Sequence, residues 1–95
     1  MKLGFLEKAE RADLSATPGE YDVDGAVDMG RYALIVSSDR AFHLERNATA
    51  TTDSLRVPAN ELVVVNVWGV DSLSYVLATG EADGGSIWVT RTDAA

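Results

Sequence analysis

Apolar and polar residues alternate along most of the chain after residue 20, as in strands that place one face on a core. Tyr32, Leu34 and Val36 share one face of their segment, and Phe42 and Leu44 share one face of the next. Strands are predicted by alternation or β-branched content at residues 20–24, 32–38, 41–46, 62–68, 72–79 and 86–92. Turn-forming residues separate them, without a helical segment between. This order predicts an all-β fold, an antiparallel β-sandwich or a small jelly-roll-like barrel.

The first 14 residues follow a different pattern. Their apolar positions recur at helix-like spacing: Leu3, Phe5, Leu6, Ala9, Ala12 and Leu14. Pro18 and Gly19 then end the segment, because proline cannot continue a helix and glycine favours a turn. We therefore expect an N-terminal arm over residues 1–19, in part helical, and a β-sandwich domain over residues 20–95. The arm is either a frayed terminus or a segment whose Leu3, Phe5 and Leu6 dock on another surface.

The segment LVVVNVW, residues 62–68, is apolar on both faces apart from Asn66. A strand of this kind is usually covered on both sides. One face is expected to meet the core, and the other needs a second cover, either the arm or a neighbouring subunit. For a domain this small, the neighbouring subunit is favoured.

Length and charge narrow the classes of function. A chain of 95 residues has room for one domain core. It has no cysteine, which excludes disulfides, thiolate zinc sites and thiol nucleophiles. Its net charge of −7 and its scattered basic residues argue against binding to nucleic acid. Neither a secretory signal nor a membrane span is apparent, so we expect no membrane partner and synthesis in a cytoplasm.

Candidate chemistry is sparse. His43, the only histidine, is expected on the polar, surface-exposed face of a strand beside Glu45. The serines lack a G-x-S-x-G motif, and no phosphate-binding loop is present. We therefore expect no enzyme activity and no cofactor. The competing hypothesis, a small hydrolase or isomerase, depends on His43 and the aspartates alone.

Three aspartates, Asp22, Asp24 and Asp28, carry the oxygen ligands that calcium accepts. Their spacing does not fit the EF-hand loop, and aspartate is common in turns at strand ends. No metal site is predicted from them.

The two tryptophans are the strongest candidates for contact residues. Trp88 shares a strand face with Ser86 and Thr90, and Trp68 follows the apolar run that starts at residue 62. A tryptophan on a polar face can anchor a protein interface or stack on a sugar ring. The alternative is that both tryptophans close the core.

The segment from residue 30 to residue 92 contains Y-x-L-x-V, A-F-H-L, an Ala/Thr-rich loop, V-P-A-N-E, D-S-L-S-Y-V and G-S-I-W-V-T in this order. It resembles the small β-sandwich accessory proteins of tailed bacteriophage virions that decorate or cement the capsid. The resemblance implies a non-enzymatic structural subunit on the capsid surface that binds and stabilises the shell of major capsid protein. It also implies a homo-oligomer, with a trimer favoured.

Two alternatives remain open at this point. The resemblance extends to neck, tail or fibre components of the virion. A glycan-binding adhesin module that uses Trp68 or Trp88 is the alternative from a different class.

Overall fold

The computed structural model describes residues 3–6, 9–23, 32–66, 72–82 and 84–94. Within these residues the chain forms nine β-strands and no helix. The strands are β1 (Leu3–Leu6), β2 (Glu10–Leu14), β3 (Gly19–Asp22), β4 (Tyr32–Ser38), β5 (Phe42–Arg46), β6 (Leu55–Val57), β7 (Leu62–Asn66), β8 (Ser72–Leu77) and β9 (Gly85–Ala94).

The strands form two antiparallel sheets. Sheet A has the order β1-β9-β4-β7, with β2 also on β9, and sheet B has the order β3-β8-β5-β6. Strand β1 pairs with residues 92–94 of β9, whereas β2 pairs with residues 85–89. Both therefore lie along the same edge of β9, one after the other. Sheet A is thus four strands wide.

The pairing follows one long hairpin that is folded back on itself. The two arms of this hairpin are joined by the antiparallel pairs β2–β9, β3–β8, β4–β7 and β5–β6. When the hairpin folds over, two further pairs form: β4 pairs with β9 in sheet A, and β5 pairs with β8 in sheet B. Eight strands in this arrangement form a jelly roll. The predicted fold class, an antiparallel sandwich or jelly-roll-like barrel, is confirmed.

The core lies between the inner faces of the two sheets. Alternation along each strand places every second side chain there. The core cluster contains Leu14, Val23, Leu34, Val36, Phe42, Leu44, Val57, Leu73, Tyr75, Leu77, Ile87 and Val89. The predicted shared faces of β4, with Leu34 and Val36, and of β5, with Phe42 and Leu44, are therefore confirmed as core faces. Phe42, at the centre of sheet B, is fully buried, and burial of such a side chain stabilises a fold by about 1.5–3 kcal/mol.

The expectation of a helix near the N-terminus is wrong. Residues 3–6 and 10–14 are extended and pair with β9. The physical reason is that a short helix is marginal in isolation, whereas pairing with β9 satisfies the backbone and allows β2 to bury Leu14 in the core. Ser15–Pro18 then cross from sheet A to sheet B, where Gly19 starts β3.

One close approach in sheet B depends on a glycine. Gly19 lies directly opposite Tyr75 on β8, and the aromatic ring covers the space that a side chain would occupy. A Cβ atom at residue 19 would lie 2.5 Å from Cε1 and 2.8 Å from Cζ of Tyr75. Burial raises the pKa of the Tyr75 phenol.

We predict that Gly19→Ala lowers the free energy of unfolding by about 1–3 kcal/mol, because a well-packed core must distort to admit an added methyl group. Urea denaturation measures the change. Tyr75→Leu removes the ring from the site. The loss of unfolding free energy caused by Gly19→Ala should therefore be smaller when Tyr75→Leu is also present. An equal cost with and without Tyr75 would show that the ring does not set the requirement for glycine.

Candidate interaction surface

The outer face of sheet A carries a group of apolar side chains. In the strand register, Trp88 on β9 lies opposite Ser37 on β4, and Ser37 lies opposite Leu62 on β7. In the next row, Ile35 lies opposite Val64. We call Ile35, Leu62, Val64 and Trp88 the apolar face of sheet A. A two-layer domain requires apolar residues only on inner faces, so this group has no role in the domain's own core.

Two residues of this face, Leu62 and Val64, are exposed, whereas the third exposed hydrophobic residue, Leu55, lies on β6 of sheet B. Among the described residues, the large hydrophobic side chains that are exposed are Leu55 at 59%, Leu62 at 60% and Val64 at 38%. Ile35 and Trp88 are half-buried. Isolated exposed apolar residues are common on proteins, whereas adjacent ones indicate a binding surface.

A cleft opens between the sheets beside β7. It has a volume of about 430 Å³ and is lined by residues of β5, β6, β7 and β8. Leu44, Leu55, Val63, Val65 and Leu73 supply its apolar wall, and Glu45 and Arg46 supply charged groups. The cleft is where the inner face of edge strand β7 remains only partly covered by sheet B.

The predicted contact residues fall in three different places. Trp88 belongs to the apolar face of sheet A, with Arg11 of β2 opposite it on its other side. Trp68 lies outside the described residues. Leu3, Phe5 and Leu6 lie on β1, whose backbone pairs with β9. Their role in an interface stays a prediction.

The position of β1 and β2 bears on the cover of β7. They occupy one edge of sheet A, and β7 occupies the opposite edge. Within the described part of the chain, the arm therefore does not lie against β7. Of the two covers expected for the apolar run at residue 62, the described part of the arm is therefore not the one, and the neighbouring subunit stays a prediction.

His43 points outward from sheet B, as predicted, but it is not on the surface. The side chain is only 7% exposed, because the loop of residues 47–54 packs over it. Its Nδ1 lies 3.0 Å from the carbonyl oxygen of Ser54. Since a carbonyl only accepts, Nδ1 carries the proton and donates. The expectation of a surface histidine is therefore wrong: the ring holds the loop against the sheet.

The same loop is fixed by a second buried group. The amide of Ala50 donates to Oγ of Ser74 over 2.9 Å, and that hydroxyl donates to the carbonyl of Gly19 over 3.0 Å. Ser74 thus connects the loop, β8 and β3. The outer face of sheet B is closed here by the chain itself, which leaves the outer face of sheet A as the candidate for contacts.

The structure brings no metal-binding group together in the part of the chain that it describes. Asp22 lies at the end of β3, and Asp24 and Asp28 fall outside the described residues. No cluster of three or more potential ligands occurs among the described side chains. The described residues also include no helix long and apolar enough to cross a bilayer.

One exposed apolar residue of the cleft wall was not found by sequence reasoning. Leu55 lies on β6, a strand of only three residues in a segment for which no strand was predicted. The available signal was the run LRV before Pro58, which is too short to show alternation.

Comparison of the chain with protein-family models, with curated proteins and with solved structures finds no match. The chain's own fold and surface therefore carry what can be inferred about its function.

We predict that His43→Ala lowers the free energy of unfolding by about 2–3 kcal/mol, through loss of a buried ring and its hydrogen bond. The amides of residues 50–54 should also exchange faster with solvent, which NMR can measure residue by residue. Arg56→Ala is the matched control, because Arg56 lies directly opposite His43 on β6 and is exposed. If both variants lose the same stability, His43 does not hold the loop.

Proposed function

We propose that the chain is a non-enzymatic structural subunit of a tailed-phage virion, which decorates the capsid by binding the shell of major capsid protein. The observation that carries the proposal is the apolar face of sheet A, where Leu62 is 60% exposed. When a partner covers such a side chain, the complex is stabilised by about 25 cal/mol for each Å² of apolar surface removed from water.

The geometry of the face suits a protein surface as partner. Its four side chains extend across β9, β4 and β7, so they form a broad area on the outside of the sheet. Small and polar residues, including Ser37 and Thr90, lie between and beside them. A central apolar group with polar surroundings is the usual composition of an interface between proteins.

The topology gives independent support by analogy. Jelly rolls recur in viral capsid and lectin domains, although a fold by itself does not determine a function. On a shell with many identical sites, a subunit that is itself a homo-oligomer also gains in occupancy from multivalent binding. These considerations favour a virion surface as the location of the protein.

A glycan-binding module is the second candidate, and one observation favours it. Trp88 is half-buried on an outer face with Arg11 and Ser37 as its cross-strand neighbours. An aromatic ring beside hydrogen-bonding groups is a platform on which a sugar can stack. Leu62 and Val64 on the same face favour protein over carbohydrate.

The proposal predicts that the purified protein co-sediments with expanded capsid shells of the cognate phage. Leu62→Ser should weaken this binding by about tenfold, since central apolar residues carry most of the energy of an interface. Leu55→Ser is the matched control: Leu55 is 59% exposed, close to the 60% of Leu62, but it lies on sheet B. Both variants should unfold within about 0.5 kcal/mol of the wild type.

Each result of the experiment has a definite meaning. Lack of binding by the wild-type protein overturns the decoration proposal. Equal binding by the wild type and by Leu62→Ser shows that the shell is bound through another surface. Saturable binding to host-surface glycans that Trp88→Ala abolishes would support the adhesin instead.

A further inference from the structure

The exposed edges of the two sheets differ in how they are protected. Sheet A ends at β2 and β1 on one side and at β7 on the other, and sheet B ends at β3 and β6. An edge strand presents unpaired backbone N–H and C=O groups, to which another chain can add. Proteins usually protect such edges with charge, proline, short strands or irregular pairing.

Three of the edges carry these protections. Strand β2 has Glu10, Arg11 and Asp13, and its edge is shared with β1, where the register shifts. Strand β3 follows Pro18 and includes two acids, Glu20 and Asp22. Strand β6 has only three residues, with Arg56 at its centre and Pro58 immediately after it.

Strand β7 has none of these protections. Its five residues, Leu62–Asn66, include three consecutive valines and no charge, proline or glycine. Its pairing with β4 is regular over all five residues. No described strand pairs with its other edge. Valine is among the residues that favour strands most strongly, so this edge is well suited to pairing.

We propose that β7 pairs with β7 of a second copy of this chain, antiparallel and about a two-fold axis at Val64. Val64 then lies opposite Val64 of the second copy, and Val63 opposite Val65. The arrangement is self-complementary, as a two-fold interface requires. It joins the two copies of sheet A, each four strands wide, into one sheet that is eight strands wide.

Charge distinguishes this edge from the others as the place where two copies can pair. Each chain has a net charge of −7, so two copies repel each other over most of their surfaces. The paired segments contain no charged residue, and Glu61 lies beyond the end of the five-residue strand. A pairing through β3 would instead bring Glu20 and Asp22 of both copies together, and like charges across strands are destabilising.

The pairing also covers apolar surface that the single chain leaves exposed. Val63 and Val65 form part of the cleft wall, and the same residues of the second copy would lie beside them. On the outer face, Val64 of one copy would lie directly opposite Val64 of the other, whereas the two Leu62 residues would lie on either side of this pair and stay apart. The inference goes beyond the proposed function, since it concerns contact between copies and does not depend on what the apolar face binds.

A disulfide experiment tests both the contact and its register. The chain has no cysteine, so a single introduced cysteine can form only intermolecular disulfides. In Val64→Cys the two sulfurs would be directly opposite, with Cα atoms about 4.5–5.5 Å apart, within the range that a disulfide spans. In Leu62→Cys the two Cα atoms would be about 13 Å apart, since four residues separate them along the strand.

We expect mild oxidation to link Val64→Cys into dimers about tenfold more than Leu62→Cys, as judged on non-reducing gels. Leu62 is a stringent control, because it lies on the same strand face and is more exposed than Val64. Equal linking of the two variants, or none in either, overturns the proposal. Shells are absent from this experiment, so its failure leaves the decoration proposal intact.

The mass of the untreated protein provides a second measurement. Light scattering should give twice the chain mass of 10.1 kDa, and Val64→Lys should give the monomer, because two like charges would meet at the axis. Val64→Thr should remain a dimer, since threonine retains the backbone pairing and the β-branched shape. A monomeric wild type, a trimer, or a monomeric Val64→Thr overturns the two-fold strand pairing.

Discussion

The structure depends on the packing of two inner faces against each other. Leu34, Val36 and Ile87 of sheet A meet Phe42 and Tyr75 of sheet B in one cluster. Alternate residues of a strand point to opposite faces. Because these side chains lie in the core, their neighbours along each strand must face outward. The positions of His43, Leu62 and Trp88 all follow from that division.

The outer faces of the two sheets differ in whether the chain covers them. On sheet B, the loop of residues 47–54 covers His43 and Ser74, held by a hydrogen bond that His43 donates to the loop and one that Ser74 accepts from it. On sheet A, Leu62 and Val64 remain exposed. A small domain buries only about 60–65% of its unfolded surface, so apolar area left outside the core reduces a stability that is already modest. Retaining it is reasonable if another molecule covers it.

The sequence predicted the strands whose alternation is long enough to be unambiguous. The segment 32–38 coincides with β4, and the inner faces of β5 and β8 follow directly from Phe42, Leu44 and Leu73. Strand β6 was missed because three residues cannot display a period. The N-terminal segment was assigned to a helix because its apolar spacing is ambiguous over so few residues. Pairing with β9, some 80 residues away in sequence, decided the outcome.

The candidate surface was predictable only in part, for a similar reason. Apolar residues on both faces of the run at residue 62 indicated that a second cover is needed. In the structure, Leu62 and Val64 on the outer face are indeed exposed. The sequence could not show that β7 lies at an edge, because strand order depends on how the folded hairpin closes. Nor could it show that Trp88 shares a face with Leu62, since β4 lies between their strands and only the registers of both strand pairs relate the two residues.

Edge pairing and face binding use different groups of the same strand, and this makes them compatible. The edge contact is made by backbone N–H and C=O groups within the plane of sheet A, whereas Leu62 and Val64 project from that plane. Joining two sheets at β7 would therefore leave the apolar face available and double its extent. A larger continuous apolar area supports tighter binding to a repeating protein surface, provided that the two halves can engage together. The unprotected edge and the exposed face can thus be explained by a single requirement, assembly of copies on a larger structure.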